Sequence, residues 1–434
     1  MTDTTRVRRA TSPATIPTEN TERSNVFAPS PVSPSRHRRR KNERKRRRRA
    51  RRTIFGRHPV LTGFALIVLA ATPVWVSLGM ALNDPGNGSS LGSRLAEWTR
   101  LHGGSGIVSW AETTWYSSHA PKVGGAPAKG AIPAAGRSVV VPKVTTQIGL
   151  PAPAPIKPIA SPALAGEGIW HPAGRNVDGV PAIYEAYLRP DAVHTSLVAG
   201  VAWMDTKLLR ATLYSGSTIP GGGPYTNTAP VTTAASKTLD AAFNSGFLMS
   251  DNKGGYYTQG KLIRALVPGD ASFVIYKNGT VSIADWGRDA AMTSSVVAVR
   301  QNDVLLVDNG HAVANLNAND TSVWGYTVGN QVYVWRSGVG ETANGALVYV
   351  EGPGLNITTL ADLLVRAGAV RAMELDINQD WVNLATFAPK AAGGLATATN
   401  GIELLPNNPS NADRYFATWW SRDFFTMSVK TPSS

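Results

Sequence analysis

The chain of 434 residues has no cysteine and only seven histidines. Disulfides and thiolate metal ligands are therefore excluded. The histidines (His37, His58, His102, His119, His171, His194 and His311) are scattered, with no pair four residues apart. No metal site and no cofactor is expected from them. Stability has to come from a packed apolar core, and the more than 250 residues after about residue 160 are enough to bury one.

Acidic residues are scarce in the first segment and charge is absent from the second. Between Arg36 and Arg57 there are fourteen Lys and Arg against the single acid Glu43, and Pro59 to Leu82 carries no charge at all. An uncharged run of 24 residues meets the roughly 20 that cross a bilayer core, and a basic cluster beside such a run marks its cytoplasmic side. A cleaved signal peptide would have a short basic region, an apolar run of about 7–15 residues and a small-x-small cleavage site. Here the basic region is nearly 60 residues long and Met80-Ala81-Leu82 offers no such site. The expectation is a single-pass cell-membrane anchor, with the N-terminus cytoplasmic and the C-terminal domain outside.

Residues 1–57 hold 18 Lys/Arg and 4 Asp/Glu, which accounts for the whole formal charge of +14. The remaining 25 basic and 25 acidic residues balance, so nothing outside the tail favours nucleic acid, and none is expected as a partner. The tail's expected partners are the membrane and its anionic lipid head groups.

Composition divides the chain into a disordered basic cytoplasmic tail at 1–57, a transmembrane helix at 58–82, an Ala/Pro/Gly-rich linker at 83–160 and a folded domain at 161–434. A short helix is expected over Leu91–Leu101. The linker ends in Pro151-Ala152-Pro153-Ala154-Pro155. Proline at that density favours extended chain, so the segment reads as a spacer holding the domain away from the membrane.

Within the domain, Leu197–Met204 and Leu208–Tyr214 read as strands. Phe273–Lys277 and Thr280–Trp286 read as a hairpin with a two-residue primed turn at Asn278-Gly279. Val296–Arg300 and Val304–Val307 read as a second hairpin, and Tyr333–Trp335 and Ala346–Val350 flank a Gly-rich connection. Leu360, Leu363 and Leu364 form one stripe of a helix capped by Thr358 or Thr359 and closed by Gly368, followed by a strand from Val370 to Leu375. A strand–helix–strand passage among hairpins predicts an α+β domain around a mixed sheet.

Three segments combine polar groups with backbone freedom. Asn244-Ser245-Gly246-Phe247 places an amide after an apolar strand and before a glycine. Arg336-Ser337-Gly338-Val339-Gly340 follows a guanidinium with glycines that admit close approach to the main chain. Glu374-Leu375-Asp376 ends a strand in carboxylates spaced two apart, on the same side, followed by Ile377-Asn378-Gln379-Asp380. The aromatics Tyr415, Phe416, Trp419, Trp420, Phe424 and Phe425 are expected to pack a terminal strand.

In this order the segments resemble the phosphodiester glycosidase domain, the family of the N-acetylglucosamine-1-phosphodiester alpha-N-acetylglucosaminidases. The likeness runs from about Ala241 to Trp381: the Asn-x-Gly-Phe turn at Asn244–Phe247, the hairpin passage at Gly269–Trp286, the Arg-x-x-x-Gly segment and its partner strand at Arg336–Gly352, and the helix, Gly-Ala and Leu-Asp strand at Leu360–Asp376. The family's Leu-Asp-Gly-Gly-Gly-Ser is here Leu375-Asp376-Ile377-Asn378-Gln379-Asp380. Either these side chains replace the contacts of the missing glycine amides, or the substrate differs, or activity has been lost. The resemblance implies hydrolysis of the sugar C1–O bond of a sugar-1-phosphodiester in envelope or extracellular glycans. Asp376 and Glu374 are then the candidate catalytic carboxylates. Arg336, Asn244, Gly246, Gly338, Gly340, Asn378 and Asp380 are the candidate substrate contacts. The alternative is a non-catalytic glycan-binding module displayed at the cell surface.

Overall fold

The computed structural model describes residue 44, residues 59–134 and residues 148–430, apart from 89, 105, 109, 112–113, 115–119, 315, 318, 321–322, 326–330, 392 and 410. Except for residue 44, the expected basic tail lies outside the described residues. The chain divides into two compact units, Met1–Pro73 and Val74–Ser434.

A 25-residue helix, Pro59–Asn83, takes in the uncharged run, with Pro73 inside it. An 18-residue window within Val60–Asn83 has a mean hydropathy of 2.1, and the helix is long and apolar enough to cross a membrane. A short helix follows at Leu91–Thr99, capped by the Ser90 side chain on the Ser93 amide.

Eighteen strands, numbered in chain order, form three sheets among the described residues. The largest contains β1 (His171–Val177), β2 (Val180–Leu188), β3 (Ala199–Met204), β14 (Leu347–Leu355), β13 (Val334–Thr342), β15 (Ala369–Glu374), β11 (Leu305–Asp308) and β12 (His311–Ala312), in that spatial order. A second holds β7 (Lys261–Arg264), β6 (Tyr256–Thr258), β10 (Val296–Gln301), β8 (Ala271–Tyr276) and β9 (Val281–Asp285). The third runs β17 (Gly401–Glu403), β16 (Leu384–Phe387), β5 (Leu239–Asn244), β18 (Phe424–Val429) and β4 (Leu209–Tyr214). The domain is α+β as expected. Its long strand pairings, such as β13 with β14 and β5 with β18, are antiparallel.

The main core lies where the three sheets face one another. Phe273 stacks on Phe425 with ring centres 4.0 Å apart, and Phe243 packs against Phe425 and Tyr349. The terminal aromatics Tyr415, Phe424 and Phe425 are buried, as their clustering suggested. A second cluster covers the other face of the largest sheet, where the helix Ile357–Arg366 lays Leu360, Leu363 and Leu364 on it.

Several local expectations change. The β8–β9 loop has three residues, with Tyr276 donating to the Thr280 carbonyl and Gly279 at φ 83°, because Asn278 caps Thr280 rather than entering the left-handed region. Val296–Arg300 and Val304–Val307 do not pair: β10 lies between β6 and β8, and β11 lies against β15. Asp303, at φ 50°, turns the chain from one sheet to another. The cap of the helix is Asn356, which accepts from Thr359 N at 2.8 Å, while Gly368 closes it at φ 98° as expected. Leu150, Ile156 and Ala160, assigned to the linker by composition, are buried in the second core cluster or beside it. Leu150 N also bonds the Asp205 carboxylate at 2.7 Å.

Candidate functional site

Three sheets meet at one point. Asn244 ends β5 opposite Phe424, which opens β18. Ser337 lies in β13, Asp376 follows β15, and Arg300 and Asn302 lie at and beyond the end of β10. All these residues are buried.

Asn244 donates from Nδ2 to Ser337 Oγ at 3.0 Å, and its Oδ1 accepts from Tyr349 OH at 2.8 Å. The Asp376 main chain is locked to Ser337, its carbonyl accepting from Ser337 N at 2.8 Å. The Asp376 side chain accepts from the amides of Ile377 and Asn378 at 2.8 and 3.0 Å through Oδ1, and from Arg422 Nη2 at 2.8 Å through Oδ2. Arg422 Nη2 also reaches the Gly246 carbonyl at 3.1 Å, and its guanidinium lies 4.7 Å from the centre of the Trp381 ring. Asn244, Gly246, Asp376 and Asn378 are thus brought together. The loop stays closed without glycines because Asp376 and Asn378 cap it: Asn378 Oδ1 accepts from Asp380 N at 2.9 Å, and Arg414 holds the Asp380 carbonyl.

Arg336 and Glu374 lie elsewhere. Side chains alternate along a strand, so Ser337 and Val339 face the inter-sheet core while Arg336 and Gly338 face the helix side. There Arg336 binds Glu374 at 2.5 Å and the carbonyls of Leu355, Trp324 and Val332. Four of its five N–H groups are engaged within the protein. Glu374 therefore pairs with Arg336 rather than with Asp376. Gly338 and Gly340 likewise lie inside β13 rather than in an open loop: a Cβ at Gly338 would meet Leu364 Cδ1 and the Met373 carbonyl at 3.0 Å, so the glycine admits the helix rather than a ligand.

Sequence reasoning missed Arg300, Asn302, Arg422 and Asp423. Arg300 pairs with Asp423 at 2.9 Å, both fully buried. Asn302 spans from the Phe247 amide to the carbonyls of Glu374 and Leu375. The available signal was a charged Arg422-Asp423 dipeptide set between Trp419-Trp420 and Phe424-Phe425.

Electrostatics follow from burial. Burial raises the Asp376 pKa to about 6, against the lowering effect of Arg422 and of the loop amides. Burial and then the neighbouring Glu374 raise Asp303 to about 8. Farther into the core, burial lifts Glu351 to about 8 and Glu185 to about 7. These carboxyls bind protons more tightly in the folded chain than in the unfolded one, where values near 4 apply. Their contribution to stability is complete below the unfolded value and is lost as pH rises through about 6 to 8. Chemical unfolding of the detergent-solubilised chain is therefore expected at a lower denaturant midpoint at pH 8.5 than at pH 5.5. A midpoint that rises over this interval would contradict the burial described.

A cavity of about 340 Å³ opens beside the site, lined in part by Asp380, Trp381, Arg414, Trp419 and Trp420. Another, of about 240 Å³, lies between Arg210 and Lys277 and includes none of the site residues.

Residues 237–376 match the family model for phosphodiester glycosidase. No curated protein matches the chain. Among solved structures, the zebrafish N-acetylglucosamine-1-phosphodiester alpha-N-acetylglucosaminidase catalytic domain, auto-inhibited by its pro-peptide, is 17% identical over 61% of this chain and 88% of its own, with a TM-score of 0.38. A hypothetical protein from Synechocystis is 13% identical over 61% of this chain and 65% of its own, with a TM-score of 0.34. Asn244, Arg336, Glu374 and Asp376 all fall within the matched segment, and that segment is similar to the phosphodiester glycosidase family.

Proposed function

We propose that the chain is a membrane-anchored extracytoplasmic glycosidase that hydrolyses the sugar C1–O bond of sugar-1-phosphodiesters. The observation that carries this reading is the Asp376–Arg422 pair, held at the meeting point of three sheets inside the segment that matches the family. The leaving group is a phosphate ester that departs as an anion, so the reaction demands charge complementarity more than a general acid. Asp376 supplies the carboxylate beside the oxocarbenium-like carbon or activates a water there. Among the described residues only Nη2 of Arg422 is hydrogen-bonded, so Nε and Nη1 remain to meet phosphate oxygens. In this reading Arg422 takes the phosphate and Arg336 braces the strand beneath. Asn244, anchored by Tyr349, orients Ser337 and the loop at Gly246. The basic cluster and the apolar helix support placing the domain outside the membrane.

A second reading, a glycan-binding module, draws on one observation: both Asp376 oxygens are engaged within the protein. Release of free sugar from a panel of sugar-1-phosphodiesters by the full chain in detergent separates the two. Turnover that falls by about tenfold or more in Arg422→Lys, which keeps charge but loses the planar fork, is expected of the enzyme. Ligand binding by the wild type with no sugar released from any member would establish the binding module.

A further inference from the structure

The cavity beside Trp381 is built partly by residues that directly follow the apolar helix. Pro85, Gly88 and Arg94 line it together with Asp380, Trp420 and Arg414. The helix ends at Asn83, and two further residues of chain extend no more than about 7 Å. The connection is pinned. Arg94 donates to the Leu82 carbonyl, in the last turn of the helix, at 3.0 Å and to the Gly88 carbonyl at 2.9 Å, and Ser421 Oγ donates to the Gly86 carbonyl at 3.4 Å. The segment expected to act as a spacer therefore begins as part of the cavity wall.

The cavity's chemistry suits a polar head group. Arg414 is 4% exposed, lies 4.4 Å from the centre of the Trp420 ring, and uses Nε on the Asn411 carbonyl and Nη1 on the Asp380 carbonyl, with no acceptor for Nη2 among the described residues. The Trp420 indole N–H is buried and has no acceptor among the described residues. Two unused donors beside the Trp381 and Trp419 rings suit an oxygen-rich group that stacks and accepts hydrogen bonds. The Trp381 ring lies 5.6 Å from that of Trp420 and against the Arg422 guanidinium. A molecule in the cavity thus lies one ring away from the Asp376–Arg422 pair and next to the end of the apolar helix.

We infer that this cavity receives the head group of a membrane lipid, and that the substrate is a sugar joined by a phosphodiester to a lipid of the same membrane. The inference rests on the glycosidase reading for the reaction and on the cavity for the lipid. The lipid chain leaves toward the bilayer, the phosphate meets Arg422 and the sugar carbon faces Asp376. Water attacks C1 and gives a proton to Asp376, and the C1–O bond breaks with its electron pair leaving on the phosphate oxygen. The lipid phosphate monoester anion stays in the membrane while the free sugar is released.

The test uses the full chain in phosphatidylcholine–phosphatidylglycerol vesicles, with hexadecyl and methyl phosphodiesters of glucose-1-phosphate and of N-acetylglucosamine-1-phosphate. The hexadecyl esters are expected to be cleaved with a kcat/KM at least tenfold above the methyl esters. Asn411→Trp, which fills the cavity from an exposed position, is expected to bring that ratio to within about twofold of one, with unchanged thermal unfolding. Equal rates on both esters in the wild type, or a ratio that Asn411→Trp leaves intact, would overturn the inference while the glycosidase reading survives. If neither ester is cleaved, binding of the hexadecyl ester to the vesicle-embedded chain is measured instead. Binding lost in Asn411→Trp supports the lipid cavity without the reaction, and binding that the variant retains overturns it.

Discussion

Asp376→Asn is expected to lower kcat for sugar release by about a thousandfold or more while leaving the fold intact, the range associated with loss of a carboxylate that bonds to or deprotonates a reacting group. The isosteric amide keeps its oxygen for the Ile377 and Asn378 amides, so the 376–380 turn should persist. What it loses is the charge facing Arg422. Because Arg422 is then buried without its partner, thermal unfolding of the variant is expected at a lower temperature. Turnover is therefore compared at a temperature where both proteins are folded, with affinity for a non-hydrolysed phosphonate analogue expected to stay close to that of the wild type. Turnover within tenfold of wild type would remove Asp376 from the chemistry.

The second large effect is on stability. Arg336→Met is expected to cost about 3–5 kcal/mol, because the buried Glu374 loses its partner and must either carry an uncompensated charge or take up a proton. Three carbonyls also lose their donor. The double variant Arg336→Met/Glu374→Leu should recover much of the loss, since replacing a buried ion pair by apolar groups of similar size is often near neutral. Denaturant titration of the two variants decides it. A single variant as stable as wild type would mean that the guanidinium is not the brace described here and would return Arg336 to the list of candidate ligand contacts.

These two residues also show what the sequence makes legible. Arg336 and Asp376 are conspicuous because one stands in a strand before glycines and the other just past a strand end beside acids, and both prove to be buried and ion-paired. The face on which each side chain lies depends on strand register and on which strands become neighbours, which local pattern does not encode. Val296–Arg300 and Val304–Val307 illustrate this: adjacent in sequence and alternating in polarity, they enter different sheets. Strongly local signals fare better. The stripe of Leu360, Leu363 and Leu364 and the glycine at 368 mark a real helix and its end, because capping and amphipathic spacing act within a few residues. The partner of Asp376 is 46 residues away in sequence. Arg422 was legible only as a charge between aromatic pairs. Composition misled at Leu150 and Ile156, since proline-rich chain can still bury the apolar residues between its prolines.

The central claim is cleavage between the sugar carbon and the bridging oxygen, rather than between that oxygen and phosphorus. Hydrolysis in ¹⁸O-labelled water by the full chain distinguishes the two bonds by mass spectrometry of the products. The label is expected on the anomeric hydroxyl of the released sugar, with an unlabelled phosphate monoester. Label in the phosphate would show that the P–O bond breaks, and Asp376 would then have no sugar carbon to attack or stabilise.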